Sequence, residues 1–248
     1  MRVLLINTSE RIGGAAIAAS RLMESLKNHG IKAKLLVRDK QTDQISVVSL
    51  DHNWRMVWKF VWERIVIWSA NRFNKKNIFA VDIANTGTDI TSLPEFQQAD
   101  VIHLHWINQG MLSLKNIEKI LTSGKPVVWT MHDMWPCTGI CHHARECTHY
   151  QQECHNCPFI HEGGSKRDLS YRIFHKNAGI VSQPSHQLRH LQPLAGRTCP
   201  DKRPLLRTCR DVHPQPRSTP ISSSPATGRK PAAVAYCRKT RNSCCSAR

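Results

Sequence analysis

Three sets of residues carry side chains or backbone freedom suited to chemistry. The first is Gly13-Gly14, followed by the small residues Ala15, Ala16, Ala18 and Ala19. A glycine pair ahead of a helix lets backbone approach a ligand and points the first helical amides at an anion. The pair also suits a tight turn with no ligand. It fits neither the G-x-G-x-x-G fingerprint nor a P-loop with its Gly-Lys-Ser/Thr ending. The second set is His103, His105 and Trp106 together with His132, Asp133 and Trp135. These side chains could bind or activate a polar substrate, or serve as packed structural residues. The third is Cys141, Cys147, Cys154 and Cys157, spaced C-x5-C-x6-C-x2-C. Cys137 stands just ahead, with His142, His143, His149 and His155 interspersed. Four thiolates suit tetrahedral zinc, and the closing C-x2-C resembles half of a zinc knuckle. Reduced thiols without metal and a redox role are the other readings of this spacing.

Elements must bring these sets together. Residues 3–6 form a compact β-type run that ends at the glycine loop. Ala15, Ala18, Ala19, Leu22, Met23 and Leu26 then recur at spacings of three and four, with Gly30 as the stop. A second strand over 34–38 completes a β-loop-α-β unit. Further strands are expected over 99–106 and 126–131, with a helix over 114–121 between them and another helix starting over 168–174. Apolar strands alternating with helices predict a doubly wound, mostly parallel, Rossmann-like α/β sheet with helices on both faces. The ligand edge of such a sheet lies at the carboxyl ends of its strands, and three of the four expected strand ends there carry the glycine or histidine sets. A Cys-rich insertion over 137–158 hangs from that edge.

The formal charge of +17 on 248 residues suggests nucleic acid until it is divided along the chain. From Asn177 onward there are 13 basic and 2 acidic residues, which leaves residues 1–176 with only +6. No nucleic-acid partner is expected for the folded part. The short apolar start, MRVLLI, lacks the features of a signal peptide, so a cytoplasmic location is the expectation, with cysteines reduced or metal-bound.

The segments LLINTSERIGGAAIAASRLMESL, ADVIHLHWIN and GKPVVWTMHDMWPCTGICHHARECTHYQQECHNCP together resemble the N-terminal half of family-4-like glycosyltransferases of the bacterial polysaccharide type. The resemblance covers residues 1–176. It implies an acceptor-side domain that faces a second Rossmann-like domain holding a nucleotide-sugar donor. By the same resemblance, Gly13 and Gly14 would offer amides near the donor pyrophosphate. His132 would contact the transferring sugar, with retention of configuration. Arg11, Asn108 and Asp133 would stand on the acceptor side. The acceptor would be a glycan or a lipid-linked sugar, and catalysis would need no cofactor, zinc having only a structural role. The donor-binding carboxylates of such enzymes belong to the second domain, and no matching segment occurs here. Little activity is therefore expected from this chain alone. A zinc-stapled ligand-binding or scaffold module is the alternative.

Two stretches remain. Trp54, Trp58, Trp62 and Ile65 recur at helical spacing over 54–73. Packing on the sheet or a partner domain is the first expectation, and an interfacial helix making peripheral contact with the inner face of the cell membrane is the second. Residues 177–248 hold nine of the 13 prolines and a single aromatic, Tyr236. They read as a disordered, basic, Pro-rich tail. With allowed codons, residues 185–198 can be re-read one base later as HTNFVTCSRWLAE, which resembles the next strand and helix of the same family. An out-of-frame tail is accordingly the leading expectation, ahead of a natural linker or a charge-driven binding tail.

Overall fold

The computed structural model describes residues 1–50 and 54–181. The expected tail from residue 182 onward, with its frame, lies outside the described residues.

The core is a five-stranded, all-parallel sheet in the order β3-β2-β1-β4-β5. β1 is Arg2–Ser9, β2 Lys32–Asp39, β3 Val47–Ser49, β4 Val101–Leu104 and β5 Val127–Trp129. Successive side chains of a strand point to opposite faces, and β1 shows the result. Val3 and Leu5 join one hydrophobic cluster with Ala19 and Met23 of α1 (Gly14–Asn28). Leu4 and Ile6 join the other, larger cluster. That cluster takes Met56 and Ile67 from α2 (Trp54–Ala70), Phe96 from α3 (Pro94–Gln98), Ile117 and Ile120 from α4 (Leu114–Leu121), and Ile173, Phe174 and Ile180 from α5 (Leu169–Val181). Helices thus cover both faces, as the sequence pattern predicts.

Local chemistry sets the helix ends. Gly30 follows α1 with φ +75°, a left-handed conformation that only glycine adopts without strain. Ser113 caps α4 through a reciprocal capping box with Asn116.

The strands expected over 99–106 and 126–131 are shorter, as β4 and β5, and two helix boundaries also differ from expectation. The Trp-rich helix stops at Ala70, three residues early, where Arg72 and Phe73 take positive φ. The last helix runs past Lys176 to Val181. The side chain of Asn177 is buried and donates to the Pro136 carbonyl (3.2 Å), and Ile180 reaches the core, so the folded part does not end at 176. β3 and α3 were not anticipated, both being too short to show a period.

Candidate active site

From β1 the chain winds outward through β2 and β3, then returns to add β4 and β5 on the other side. The winding therefore reverses between β1 and β4. In open α/β sheets ligands bind at such a switch point, beyond the carboxyl ends of the strands. The loop after β1 carries Arg11, Gly13 and Gly14; the segment after β4 carries His105, Trp106 and Asn108; the segment after β5 carries His132 and Asp133. The first two are stitched together. His105 donates its amide to the Ile6 carbonyl (2.9 Å), Trp106 donates its amide to Asn7 Oδ1 (3.0 Å), and the Thr8 hydroxyl donates to the carbonyls of Trp106 and Asn108 (both 3.0 Å).

On the β1 side, Gly13 is exposed with φ +90° and precedes a helix that has no capping side chain and no acid in its first turn. A Cβ on either Gly13 or Gly14 would meet nothing within 4 Å. Arg11 is exposed as well. The loop is anchored from behind by Glu10, whose buried carboxylate accepts the amides of Gln41 (2.6 Å) and Thr42 (2.9 Å) and the Thr42 hydroxyl. Burial pushes Glu10 toward its neutral form, but these donors outweigh it and hold its pKa below the usual range.

On the β4–β5 side, three imidazoles stack. His103 and His105 lie 4.4 Å apart between ring centroids, and His105 and His132 5.2 Å apart. His105 Nδ1 and His132 Nε2 share a hydrogen bond of 2.9 Å, while His103 Nε2 is 2.8 Å from the Thr130 hydroxyl. Burial, with the neighbouring rings adding to it, lowers His103 to about 4 and His105 to about 3, so both are neutral at physiological pH. Burial lowers His132 too, against the opposing pull of Asp133. Two buried atoms here have no hydrogen-bond partner, His105 Nε2 and Asn108 Nδ2.

Asp133 is engaged by the protein itself. Its Oδ2 accepts from Trp106 Nε1 (2.8 Å) and His142 Nδ1 (2.6 Å), and its Oδ1 from the Trp135 amide (3.0 Å). His142 in turn reaches Asp82 Oδ2 through Nε2 (2.7 Å). Burial works against charge on His142, yet the two carboxylates prevail and lift it to about 9. Asp82 also binds Arg64, whose Nη1 donates to the carbonyls of Ile78 (2.6 Å) and Val81 (3.0 Å). Beside them Glu63 Oε1 accepts the amides of Ile83 (2.9 Å) and Ala84 (2.7 Å), and burial together with Asp82 raises the pKa of Glu63. With Glu63 protonated, this set holds two positive and two negative charges. Sequence reading did not single out Asp82 or assign His142, Glu63 and Arg64 to a network. The one available signal was an adjacent Glu-Arg pair inside an apolar helical stretch.

The four cysteines line one small cavity, of about 10 Å³, with His149, Tyr150 and His155. Cys141, Cys147, Cys154 and Cys157 are free; burial pushes Cys141 to about 11 and Cys154 and Cys157 to about 12. Among the described residues, no group of three or more His, Cys, Asp or Glu side chains is placed so that it could hold a metal ion. The excursion is fixed to the fold at Gly139, where a Cβ would stand 2.4 Å from the Ser170 carbonyl of α5. A more open groove lies at the opposite end of the sheet, between Arg2, Lys27, Lys32 and Glu95. No histidine lines it, whereas three imidazoles meet at the switch point, which we regard as the better candidate.

No family model matches this chain, and no solved structure gives a significant match. Among curated proteins, "Putative colanic acid biosynthesis glycosyl transferase WcaC" of Escherichia coli (strain K12) is 32% identical over 66 residues, covering 24% of this chain and 16% of that protein. The match thus spans about a sixth of the relative's length, and within it the chain is glycosyl transferase-like.

Proposed function

We propose that the described residues form the acceptor-side domain of a retaining, family-4-like glycosyltransferase that moves a sugar from a nucleotide donor to a glycan or lipid-linked acceptor. The observation that carries this reading is the pairing, at one switch point, of an uncapped helix start with a histidine held by a second histidine. Gly13 and Gly14 are exposed and no side chain caps the helix they begin, which suits the charge that builds on a departing pyrophosphate. The bond to His105 occupies Nε2 of His132 and leaves Nδ1 for a hydroxyl of the transferring sugar. Asn108, with a buried amide lacking a partner, is the better-supported acceptor contact, and exposed Arg11 is a second. Asp133 acts at one remove, by holding Trp106 and His142.

Donor-binding carboxylates belong to a second domain in this reading, and transfer requires it. The test is complementation. The chain is mixed with a separately expressed second domain, obtained by restoring the shifted reading frame after residue 184, and transfer to a polysaccharide acceptor is measured. Transfer that appears on mixing and vanishes with His132→Ala supports the proposal. Transfer unaffected by His132→Ala removes the role given to that residue.

A second reading is a ligand-binding or scaffold module stapled by zinc; the four thiols do line one cavity, but they would have to shift to close around a metal ion. One zinc per chain after purification without chelator, coupled with failed complementation, would favour it.

A further inference from the structure

The Trp-rich helix is turned opposite to the ordinary arrangement. In α2 the buried positions are Met56, Glu63, Arg64 and Ile67, so the ion pair faces inward. Trp54, Trp58 and Trp62 face outward, 73%, 53% and 45% exposed, with Val57 and Ile65 on the same face. Phe73 and Phe79, just beyond the helix, are 65% and 64% exposed. Scattered single apolar residues on a surface need no explanation, but a contiguous stripe along one helix marks a contact. Trp is the side chain best suited to a boundary between water and an apolar phase, its ring being apolar and its N–H polar.

The charge around the stripe selects the phase. Between residues 54 and 80 the sequence contains one acid, Glu63, and that carboxylate is buried and bonded to backbone amides. The cations Arg55, Arg72, Lys75 and Lys76 are all exposed. Exposed tryptophans flanked by cations with no exposed acid form the pattern of a helix lying in an anionic bilayer surface. A protein partner would be expected to answer at least one cation with charge of its own and to shield the stripe in a single register; a lipid surface needs only the sign. Among the described residues, no helix is long and apolar enough to cross a membrane, so contact would be superficial.

We propose that the exposed Trp face of α2 docks this protein on the surface of an anionic phospholipid bilayer. The helix also lies against the loop that follows β4: a Cβ on Gly110 would come within 3.0 Å of the Phe60 amide nitrogen. That loop carries Asn108. Docking would therefore bring the switch-point edge near the lipid headgroups, where a lipid-linked acceptor would be found; this last step, unlike docking itself, rests on the transferase reading.

Residues after Asn177 are basic enough to attract anionic vesicles unaided, so binding alone is not the readout. Full-length protein is mixed with vesicles of phosphatidylglycerol and phosphatidylcholine whose acyl chains carry bromine, a short-range quencher of tryptophan. Docking predicts quenched Trp emission on anionic vesicles and little quenching on pure phosphatidylcholine. The double variant Trp58→Ser/Trp62→Ser should lose about tenfold in vesicle affinity with only a small loss of thermal stability, because about half of each side chain is already in water, while Trp58→Phe/Trp62→Phe should retain most of the affinity. Vesicle binding without quenching, or equal binding by the serine variant, would overturn the proposal. So would self-association that the serine variant abolishes, since a second copy would then cover the stripe. Complementation measured with a water-soluble acceptor tests the transferase reading separately.

Discussion

The two flanks of the switch point are built on opposite principles. The β1 flank is bare backbone: Gly13 and Gly14 are exposed, nothing caps the helix that follows, and no atom crowds the space a Cβ would fill. The β4–β5 flank is assembled from side chains already bonded to one another, from His103 and Thr130 through His105 to His132, and from Trp106 through Asp133 and His142 to Asp82. A flank of free amides costs little to maintain and has its hydrogen bonds available to a ligand. A flank of buried imidazoles and carboxylates is costly to desolvate and must be largely satisfied internally before any ligand arrives, here with His105 Nε2 and Asn108 Nδ2 left open. Substitutions on the first should alter binding more than folding, whereas on the second the two cannot be separated.

The largest expected effect breaks the crowded flank. Asp82→Ala leaves the buried Arg64 and His142 without their shared carboxylate, and losing one partner of a buried ion pair costs about 3–5 kcal/mol. Urea denaturation should show that loss with little change in slope; an effect under about 1 kcal/mol would mean the network is not stabilised as described.

Acid should break the same flank more gradually. His103 and His105 have folded pKa values of about 4 and about 3, below the ordinary 6.5. The unfolded chain therefore binds protons first as pH falls, so stability is intact above about 6.5 and declines as pH drops toward 4 and 3. Each ring contributes a slope of roughly 1.4 kcal/mol per pH unit within that window. Denaturation midpoints between pH 7 and 5 test this, and His103→Gln/His105→Gln should flatten the dependence.

The open flank should respond differently. Gly13→Ala forces a side chain into φ +90°, at a cost of about 1–3 kcal/mol. Gly14→Ala, inside a helix with open space around it, should leave stability within about 1 kcal/mol of the parent. Both should weaken nucleotide-sugar binding by the complemented enzyme, and loss of binding without loss of stability in Gly14→Ala would sharpen the contrast most. The smallest effect concerns the cysteines. With three thiols lifted to about 11–12, reaction with a disulfide reagent at pH 7 should be slow in the native protein and complete on unfolding. Fast native reaction would show that the cavity opens readily.

What could be read in the sequence follows from what local pattern encodes. β1 announces itself as an apolar run buried on both faces, and α1 and α4 because each buries one face at a regular period and is bounded by a glycine or a cap. The same logic finds the Trp stripe of α2 but cannot say which way it faces. Orientation was decided by Asp82 and the amides of Ile83 and Ala84, which are distant in sequence and offer Glu63 and Arg64 partners inside the fold. Likewise, His132 and Asp133 could be named from their place after a strand. That His105 would hold the one and His142 the other depends on side chains from other elements meeting, and no periodicity carries that information. The continuation of α5 past Lys176 was masked by the change in composition at about the same point, although Asn177 and Ile180 are buried.

The balanced charge set of Glu63, Arg64, Asp82, Asp133 and His142 has a consequence for how such a protein can change over generations. Each member is tolerable only in the presence of the others, since a single apolar replacement leaves a buried charge uncompensated or, at Glu63, the amides of Ile83 and Ala84 without their acceptor. Mutational paths through these five positions are therefore narrow, and a lineage that abandons one should be found to have abandoned its partners as well. The five should be inherited as a block, present together or replaced together, while the glycine flank remains free to drift one residue at a time within the limits its ligand sets.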